Sequence, residues 1–527
     1  MSTRPMTPSP APTSSRRARR LAASALIAVA LPIAGCGGGS SSGGSADTDP
    51  ASVVPAGAAF YGEATVRPEG DQKASVETLA KKIARTDDPA AKIIAALDQQ
   101  LKADGQTFAK DIDPWLGKKI GVAITGLRGT SNPDYAIVLA ATDEKKAIAA
   151  LKNGAKNVVQ RKYKDVTYEY SKDQQQAAVA GKGTLAIGTE AAIKSVIDVE
   201  KGADSLAGSD KLAKARKSVT SDRLGFLYAD PVSIIDLVAN ASPQLGSQAA
   251  PLKSLLGGSK ASAVGAALTA AADAIRVETT VDGATGRPSG DAAATLAALP
   301  AGSVVGLGLG DVGQSLQKGL GQVGQLGGIY TSLLGQFKAI TGLDLQQDVL
   351  SWMGKGGLFL RAKGLADVGG ALVVDTSDER KTTAFIDSTR QLITRFGAGS
   401  GLSLKPYSAA GAKGFQIQTG SVPFPIIVAT GGGKFVVAVG TRSVEQALKP
   451  TGTLADDAQF KATAAKLGTK PEAYVDLSTI VGFLSLAAGD NTGFKTAKPY
   501  LEAFTALAAG SEQSGGTRKS SLVVGVK

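Results

Sequence analysis

Short apolar runs and amphipathic segments alternate along most of the chain, and they recur in the same order in two stretches. The motif Val54–Gly57 (VPAG) leads into an apolar run, as does Leu299–Gly302 (LPAG). Further on, Asp111–Lys118 (DIDPWLGK) corresponds to Asp348–Lys355 (DVLSWMGK), so the two tryptophans of the chain fall at matching positions. The pattern indicates an internal repeat of about 240 residues.

The apolar runs after each tryptophan have the length and spacing of paired β-strands. Ile120–Ile124 and Tyr135–Ala140 follow the first tryptophan, and Leu358–Ala362 and Ala371–Val374 follow the second. Short strands joined by turns, with helices between pairs of strands, are typical of an antiparallel sheet covered by helices. We therefore predict an α+β fold of two tandem homologous domains, each a largely antiparallel sheet covered by helices.

The repeat and the local composition divide the chain into four segments. These are a signal peptide (1–35), a lipidated cysteine with a Gly/Ser-rich tether (36–50), a first repeat domain (51–290) and a second (291–527). The boundary between the domains is placed at the turn-rich stretch Asp282–Gly290 (DGATGRPSG). Each copy is predicted to close with a terminal strand, Ile275–Val281 in the first and Leu522–Val526 in the second.

Three of these motifs resemble one known family. They are the opening Val54–Gly57, the following Val66–Asp71 (VRPEGD) and the Trp-x-Gly-Lys elements at Trp115–Lys118 and Trp352–Lys355. Together they look like an uncharacterised family of bacterial, chiefly actinobacterial, extracytoplasmic proteins, the domain of unknown function 3352. The resemblance covers most of residues 51–527. It implies an extracytoplasmic protein and supplies no activity.

The first 35 residues have the layout of a secretory signal. Five arginines and no acidic residue precede an apolar run, Leu21–Ile33, of 13 residues. This run is shorter than the roughly 20 residues that a membrane-spanning helix needs, so we expect the segment to be removed. The signal peptide is therefore predicted to direct export.

The export signal ends in a sequence that resembles the lipobox of bacterial lipoproteins. Ile33, Ala34 and Gly35 precede Cys36, which is the only cysteine of the chain. Lipid on the thiol of Cys36 would explain an odd cysteine in an exported protein. The stretch Gly37–Asp49 would then act as a flexible tether with a reach of roughly 20 Å. The predicted location is the extracytoplasmic face of the cell membrane.

Charge and residue types exclude several classes of function. Removing the signal leaves 53 basic and 46 acidic residues, interleaved along the chain, so no nucleic acid is expected as a partner. The chain has no histidine, which removes His-dependent nucleophilic catalysis, acid/base catalysis and metal ligation. The glycine pattern Gly308–Gly313 (GLGDVG) lacks the acidic residue that a dinucleotide site requires about 20 positions on. We predict no catalytic residue, no cofactor and no metal.

Helix capping explains the polar motifs that recur at corresponding positions of the two copies. Thr142 and Ser377 are predicted to cap the helices that follow them, and Asp230 before Pro231 has the pattern of a helix start. Both tryptophans are interpreted as core residues. A basic run from Lys211 to Arg223 is interpreted as a solvated helix face.

The segment Gly313–Phe337 is the candidate site for an apolar ligand. Its apolar positions recur at helical spacing, and glycines form a second stripe that would require close packing. The candidate residues are Leu316, Leu320, Val323, Tyr330, Leu333 and Phe337.

Three functions remain open from the sequence. The first is a non-catalytic, lipid-anchored binding or scaffolding protein, with the membrane as partner through Cys36 and an envelope protein or apolar ligand as further partners. The second is a carrier of lipid or another apolar ligand, which predicts an internal apolar cavity. The third is a hydrolase using two facing carboxylates.

Overall fold

The computed structural model describes residues 47–527 apart from short stretches at 130–131, 156, 243–245, 247–248, 251–252, 254–262, 283–290, 325–327, 363, 365–366, 398–400, 419, 421–422 and 490. The predicted signal and lipobox, with Ile33, Ala34, Gly35 and Cys36, lie outside the described residues, as does the domain boundary predicted at residue 290. The chain forms two compact units, the first ending at Ala272 and the second beginning at Asp273.

The described part of the first unit contains β1 (Phe60–Thr65), α1 (Gly70–Ala84), α2 (Pro89–Leu101), β2 (Leu116–Arg128), β3 (Asn132–Ala141), α3 (Glu144–Gly154), β4 (Val158–Tyr163), β5 (Val166–Ser171), β6 (Gln176–Gly181), β7 (Thr184–Gly188), α4 (Glu190–Glu200), α5 (Asp210–Lys217), β8 (Gly225–Ala229), α6 (Pro231–Ala241) and β9 (Val264–Ala271). The strands pair in the order β4–β5–β6–β7–β3–β2–β1–β8–β9, and every pairing is antiparallel.

The described part of the second unit contains β10 (Ala274–Asp282), α7 (Ala292–Ala297), β11 (Val305–Asp311), α8 (Val312–Gly324), α9 (Gly328–Thr341), β12 (Met353–Ala362), β13 (Val368–Thr376), α10 (Glu379–Phe396), β14 (Ser403–Ala409), β15 (Ala412–Gln418), β16 (Ile426–Gly431), β17 (Lys434–Val439), α11 (Thr441–Leu448), α12 (Ala458–Ala464), β18 (Pro471–Asp476), α13 (Leu477–Ala487), α14 (Thr492–Leu501), β19 (Phe504–Ser514) and β20 (Thr517–Val526). The strands pair, again antiparallel, in the order β14–β15–β16–β17–β13–β12–β11–β18–β19–β20–β10.

The predicted α+β class with antiparallel sheets is confirmed. The strand order from β11 to β19 matches that from β1 to β9, and the four predicted runs after the tryptophans lie within β2, β3, β12 and β13. One strand differs from its expected place. The run Ile275–Val281, assigned from the sequence to the first copy, lies in β10, which pairs with β20 and belongs to the second unit.

Each sheet has apolar residues packed on both faces. In the first unit, Tyr61 and Phe226 pack on one face, and Trp115 and Ile120 belong to a second cluster. The second unit repeats this arrangement with clusters around Phe359 and around Trp352. Successive side chains along each strand point to opposite faces of the sheet, so apolar residues at both sets of positions give two apolar faces. None of the described helices combines the length and the apolar character that crossing a bilayer requires.

The predicted caps of two matched helices are wrong by one residue. Asp143 caps α3 by accepting a hydrogen bond from the backbone N–H of Lys146, at 3.0 Å. Asp378 likewise caps α10. The hydroxyls predicted as caps instead donate to the tryptophan carbonyls, Thr142 to Trp115 at 3.1 Å and Ser377 to Trp352 at 3.4 Å. A carboxylate accepts from the helix N–H groups and also favours the positive end of the helix dipole.

Candidate functional site: apolar surfaces beside the Tyr-x-Asp helices

The predicted apolar-ligand segment forms two helices, α8 and α9, instead of one. Leu316 is 47% exposed, and Leu320 and Phe337 are half-buried. The side chains of Val323, Tyr330 and Leu333 lie outside the described residues. At Gly321 no heavy atom lies within 4 Å of the place where a Cβ would stand, so the close packing predicted for the glycine stripe is absent there. With three of the six side chains outside the described residues, the apolar-ligand site stays a prediction.

The glycines of the dinucleotide-like pattern are used for close packing of the backbone. A Cβ on Gly308 would lie 1.9 Å from the carbonyl oxygen of Ala292, and one on Gly313 would lie 2.3 Å from that of Leu350. Both contacts are with the protein's own main chain, so glycine is required for packing. Among the described residues, no group of three or more His, Cys, Asp or Glu side chains is placed to hold a metal ion.

Part of the basic run around α5 forms an ion-pair network, so its interpretation as a solvated face is wrong for Arg216 and Arg223, whereas Lys211 is exposed. The guanidinium of Arg216 donates to both carboxylate oxygens of Asp49, at 2.7 and 3.0 Å, and to Glu63 at 2.5 Å. Arg223 lies 3.6 Å from Glu63, and Lys211 binds Asp230 at 2.5 Å.

Asp230 begins the apolar helix α6. It caps the helix through the backbone N–H groups of Val232 and Ser233. Burial raises the pKa of Asp230, but hydrogen bonds from Lys211 and Ser233 outweigh burial and hold the pKa below its ordinary value. Asp476 caps α13 in the same way, again with its pKa lowered. Each cap is therefore ionised at neutral pH and fixes the start of an apolar helix.

The helix α6 is rich in apolar residues, yet none of its residues is buried. Ile234 and Val238 are one turn apart on the same side of the helix and are 39% and 38% exposed. An apolar stripe on a globular helix normally faces the core. In α6, part of the apolar stripe faces solvent instead of the core.

Two leucines on the strands before and after this helix are also exposed. Leu227 on β8 is 51% exposed and Leu268 on β9 is 40% exposed, whereas Phe226 and Tyr228 on the other face are buried. The strand register places both leucines on one face, because Leu268 lies opposite Gly225, two residues from Leu227. We call Leu227, Ile234, Val238 and Leu268 the apolar surface of the first unit.

The second unit has corresponding features. Its helix α13 packs against β12 and β19, and only one of its residues, Val481, is buried. Leu484 and Leu486 are 42% and 67% exposed. Leu307 on β11 and Leu360 on β12 are also exposed. The exposed apolar helix after a Tyr-x-Asp motif is thus present in both units.

The end of the predicted tether is fixed on the first unit, on the face of the sheet opposite Leu227. Asp49 is held by Arg216, which also holds Glu63 on β1. The preceding residue of β1, Gly62, faces the other side of the sheet, where the Cδ2 atom of Leu227 is 3.0 Å from the place where a Cβ on Gly62 would stand. Ala51, Val53 and Val54 are fully buried, so the chain is firmly packed from this point onward.

These observations define a class of protein. The chain is an antiparallel α+β protein with a carboxylate-capped, exposed apolar helix in each unit. It belongs to the family described as protein of unknown function (DUF3352), whose model matches residues 21–525. The family predicted from the sequence motifs is therefore confirmed.

Further comparisons add no function. No curated protein matches the chain significantly. Among solved structures, crystal form III of TP0453 is similar, with 14% identity over 46% of this chain and 82% of that chain and a TM-score of 0.27. Crystal form I of TP0453 gives 12% identity over 46% and 81% and a TM-score of 0.25. Similarity at this level is too weak to assign a function.

Proposed function

We propose that this chain is a bacterial lipoprotein, anchored by lipid on Cys36 to the extracytoplasmic face of the cell membrane. There it works as a non-catalytic binding and scaffolding protein that docks on the lipid surface through the apolar surface of its first unit. The observation that carries the proposal is α6, an apolar helix with no buried residue beside the exposed Leu227 and Leu268.

The membrane is the occupant of this surface because the tether keeps it within reach. Only the residues between Cys36 and Asp49 separate the anchor from the packed body, and a flexible chain of that length spans roughly 20 Å. The ion pair between Asp49 and Arg216 holds the end of the tether on the first unit. The surface therefore stays near the bilayer for as long as the lipid stays in it.

The energies are of the right size for reversible docking. Complete burial of a leucine, isoleucine or valine side chain is worth about 1.5–3 kcal/mol, so the half-exposed residues would gain about 1 kcal/mol each. Four such residues add a few kcal/mol to a lipid anchor that already restricts the protein to the surface. That gain is enough to orient the first unit and leaves the rest of the protein available for a partner.

The repeated order of strands supports a duplication as the origin of the chain. Tyr228 and Asp230 correspond to Tyr474 and Asp476, and each pair precedes an exposed apolar helix. We infer that one ancestral domain already carried such a helix. Retention of the feature in both copies supports a binding role for it.

Replacement of Cys36 by serine is expected to release the protein from the membrane, because serine has no thiol to accept the lipid. Fractionation of exporting cells should move the Cys36→Ser chain from the membrane pellet to the soluble extracytoplasmic fraction. Wild-type chain processed in parallel is the control. Full retention of the variant in washed membranes would show that the anchor lies elsewhere.

Direct contact of α6 with lipid can be measured with a thiol probe, because lipidated Cys36 leaves the chain without a free thiol. A bimane label on a Val238→Cys variant in proteoliposomes should be quenched by doxyl groups on the lipid chains. The matched control is Ile340→Cys, an exposed apolar position of the second unit, which should not be quenched.

Equal quenching at both positions, or none at Val238, would contradict docking through the first unit. Native mass spectrometry of the detergent-released chain distinguishes the carrier hypothesis from surface docking. A lipid that stays bound to the released chain in stoichiometric amount would favour the carrier hypothesis over surface docking. An apo mass with quenching at Val238 supports the proposal.

A further inference from the structure

The second unit contains a cleft of about 350 Å³ between α10 and the hairpin β14–β15. Its apolar walls come from Ile393, Leu402 and Leu404, and Phe415, which is 1% exposed, is among its lining residues. Arg390 and Lys405 are its two cationic residues. The volume is at the lower end of the range of small-molecule sites, about 300–1,000 Å³.

The helix contributes a single face to the cleft. Its lining positions 390, 393, 394 and 397 follow helical spacing, so they project on the same side of α10. Opposite them lies β14, which pairs only with β15 in the described part of the chain and so forms an edge of the sheet. Ile393 of the helix and Leu404 of the edge strand pack against the buried Phe415, and the cleft lies on the outer side of this contact, where Leu402 is exposed.

The charges of the cleft have one sign. No acidic side chain is among the lining residues. Arg390 makes one long contact, 3.4 Å to Asp387 on its own helix, and its side chain is 50% exposed. Lys405 is exposed. Two cations beside an apolar wall match a molecule with an anionic head and an apolar chain.

We propose that this cleft binds an anionic amphiphile, with a carboxylate or phosphate head on Arg390 and Lys405 and the chain against Ile393, Leu402 and Leu404. The guanidinium of Arg390 can hold two oxygens of the head side by side, and Lys405 supplies a second positive charge. This site is separate from the apolar surface of the first unit, and it stands whether or not that surface docks on lipid.

The described part of the first unit lacks the features that make the cleft. Its corresponding helix, α3, has 11 residues against 18 in α10. Lys152 of α3 binds Glu169 at 2.8 Å, so its charge is already neutralised. Gln106 donates to the carbonyl of Ala150 at 2.6 Å and is buried against the same helix. The anion site is therefore specific to the second unit.

The test uses the full lipidated chain in native membranes and a photoactivatable, alkyne-bearing C16 fatty acid. After irradiation, peptide mass spectrometry should place the label within residues 391–415. The Arg390→Glu/Lys405→Glu variant should lose at least tenfold of this label. The control Arg380→Glu/Lys413→Glu makes the same change of charge at exposed positions of α10 and β15 outside the cleft, and it should label as wild type does.

Two further comparisons test whether binding depends on the anionic head of the ligand. They distinguish this from a folding defect and from a site that binds any small anion. The charge-preserving variant Arg390→Lys/Lys405→Arg should keep most of the label, and a C16 alcohol probe should label weakly. Excess dodecanoate should compete, whereas inorganic phosphate should not. Equal labelling by acid and alcohol, wild-type labelling of the double Glu variant, or displacement by phosphate alone would each overturn the proposal.

Discussion

Replacement of Trp352 by alanine is expected to lower the free energy of unfolding of the second unit by about 3–5 kcal/mol. The side chain is 1% exposed, and its ring packs against Phe385 and Phe435 with centroid distances of 6.0 and 5.5 Å. Removing the ring leaves a cavity among aromatic residues that are already close-packed. The indole N–H also loses its bond to the carbonyl of Asp348, at 3.0 Å.

Hydrogen exchange of peptides from β16 and β17 measures this effect within the second unit, because Phe435 lies on β17. A Trp352→Phe variant is the matched control. It keeps an aromatic ring in the site and loses the indole N–H, so we expect a loss of only about 1–2 kcal/mol. An alanine variant that exchanges like the phenylalanine variant would show that the ring is not a core anchor.

The sequence predicted the tryptophans correctly because their neighbourhood is local. Trp115 and Trp352 each bond a carbonyl four residues back, that of Asp111 at 2.6 Å and that of Asp348 at 3.0 Å. The strand that follows each tryptophan then begins at once. A short motif therefore contains both the turn and the residue that anchors it, and its recurrence is the basis for predicting an internal repeat.

The helix N-caps are a feature that the local sequence alone does not determine. Thr142 and Asp143 are both good N-cap residues, and their order in the chain does not say which one begins the helix. The choice is made by the carbonyl of Trp115, which accepts from the hydroxyl of Thr142 and leaves the carboxylate of Asp143 for the helix. That carbonyl is 27 residues away from Thr142, so the outcome depends on the tertiary fold.

The exposed helices could be predicted in part. The apolar character of the segments after Tyr228 and Tyr474 is visible in the sequence, and so are their starts at Asp230 and Asp476. Their exposure is not visible, because burial depends on whether another element covers them. The sequence instead favoured Gly313–Phe337, whose glycine stripe suggested an interface. At Gly321 the structure shows open space.

The network around Arg216 was missed because its partners are distant in sequence. Asp49 and Glu63 lie 167 and 153 residues away from Arg216, so no spacing rule connects them. A cluster of cations on a short helix was the only signal. In the sequence this cluster was consistent with a solvated face. In the folded protein, β1 lies beside the helix and its Glu63 pairs with Arg216.

Replacement of Arg216 by methionine is expected to destabilise the first unit by about 2–4 kcal/mol at pH 7. Glu63 is 11% exposed and would keep the hydrogen bond from the Tyr61 hydroxyl, at 3.1 Å, and the longer contact with Arg223, at 3.6 Å, but no close cation. Asp49 would lose a paired contact and with it the fixed end of the tether. Removing one partner of a buried ion pair is costly because the other charge stays desolvated, and partial exposure of this site reduces that cost. The matched control is Lys214→Met, which removes an exposed cation from the same helix and should change stability by less than about 0.5 kcal/mol.

The effect of this variant should shrink as the pH falls. Burial raises the pKa of Asp49, but the hydrogen bond and charge of Arg216 outweigh burial, so the folded-state pKa lies below its ordinary value. A carboxylate with a lowered pKa contributes stability above its unfolded pKa of about 3.9, and that contribution is lost as pH falls through the folded value. Urea unfolding at pH 7 and pH 3, followed by Trp115 fluorescence in a Trp352→Phe background, measures the difference within the first unit. A loss of stability of the same size at both pH values, or one matched by Lys214→Met, would mean that packing of the long side chain, and not the ion pair, holds Asp49 in place.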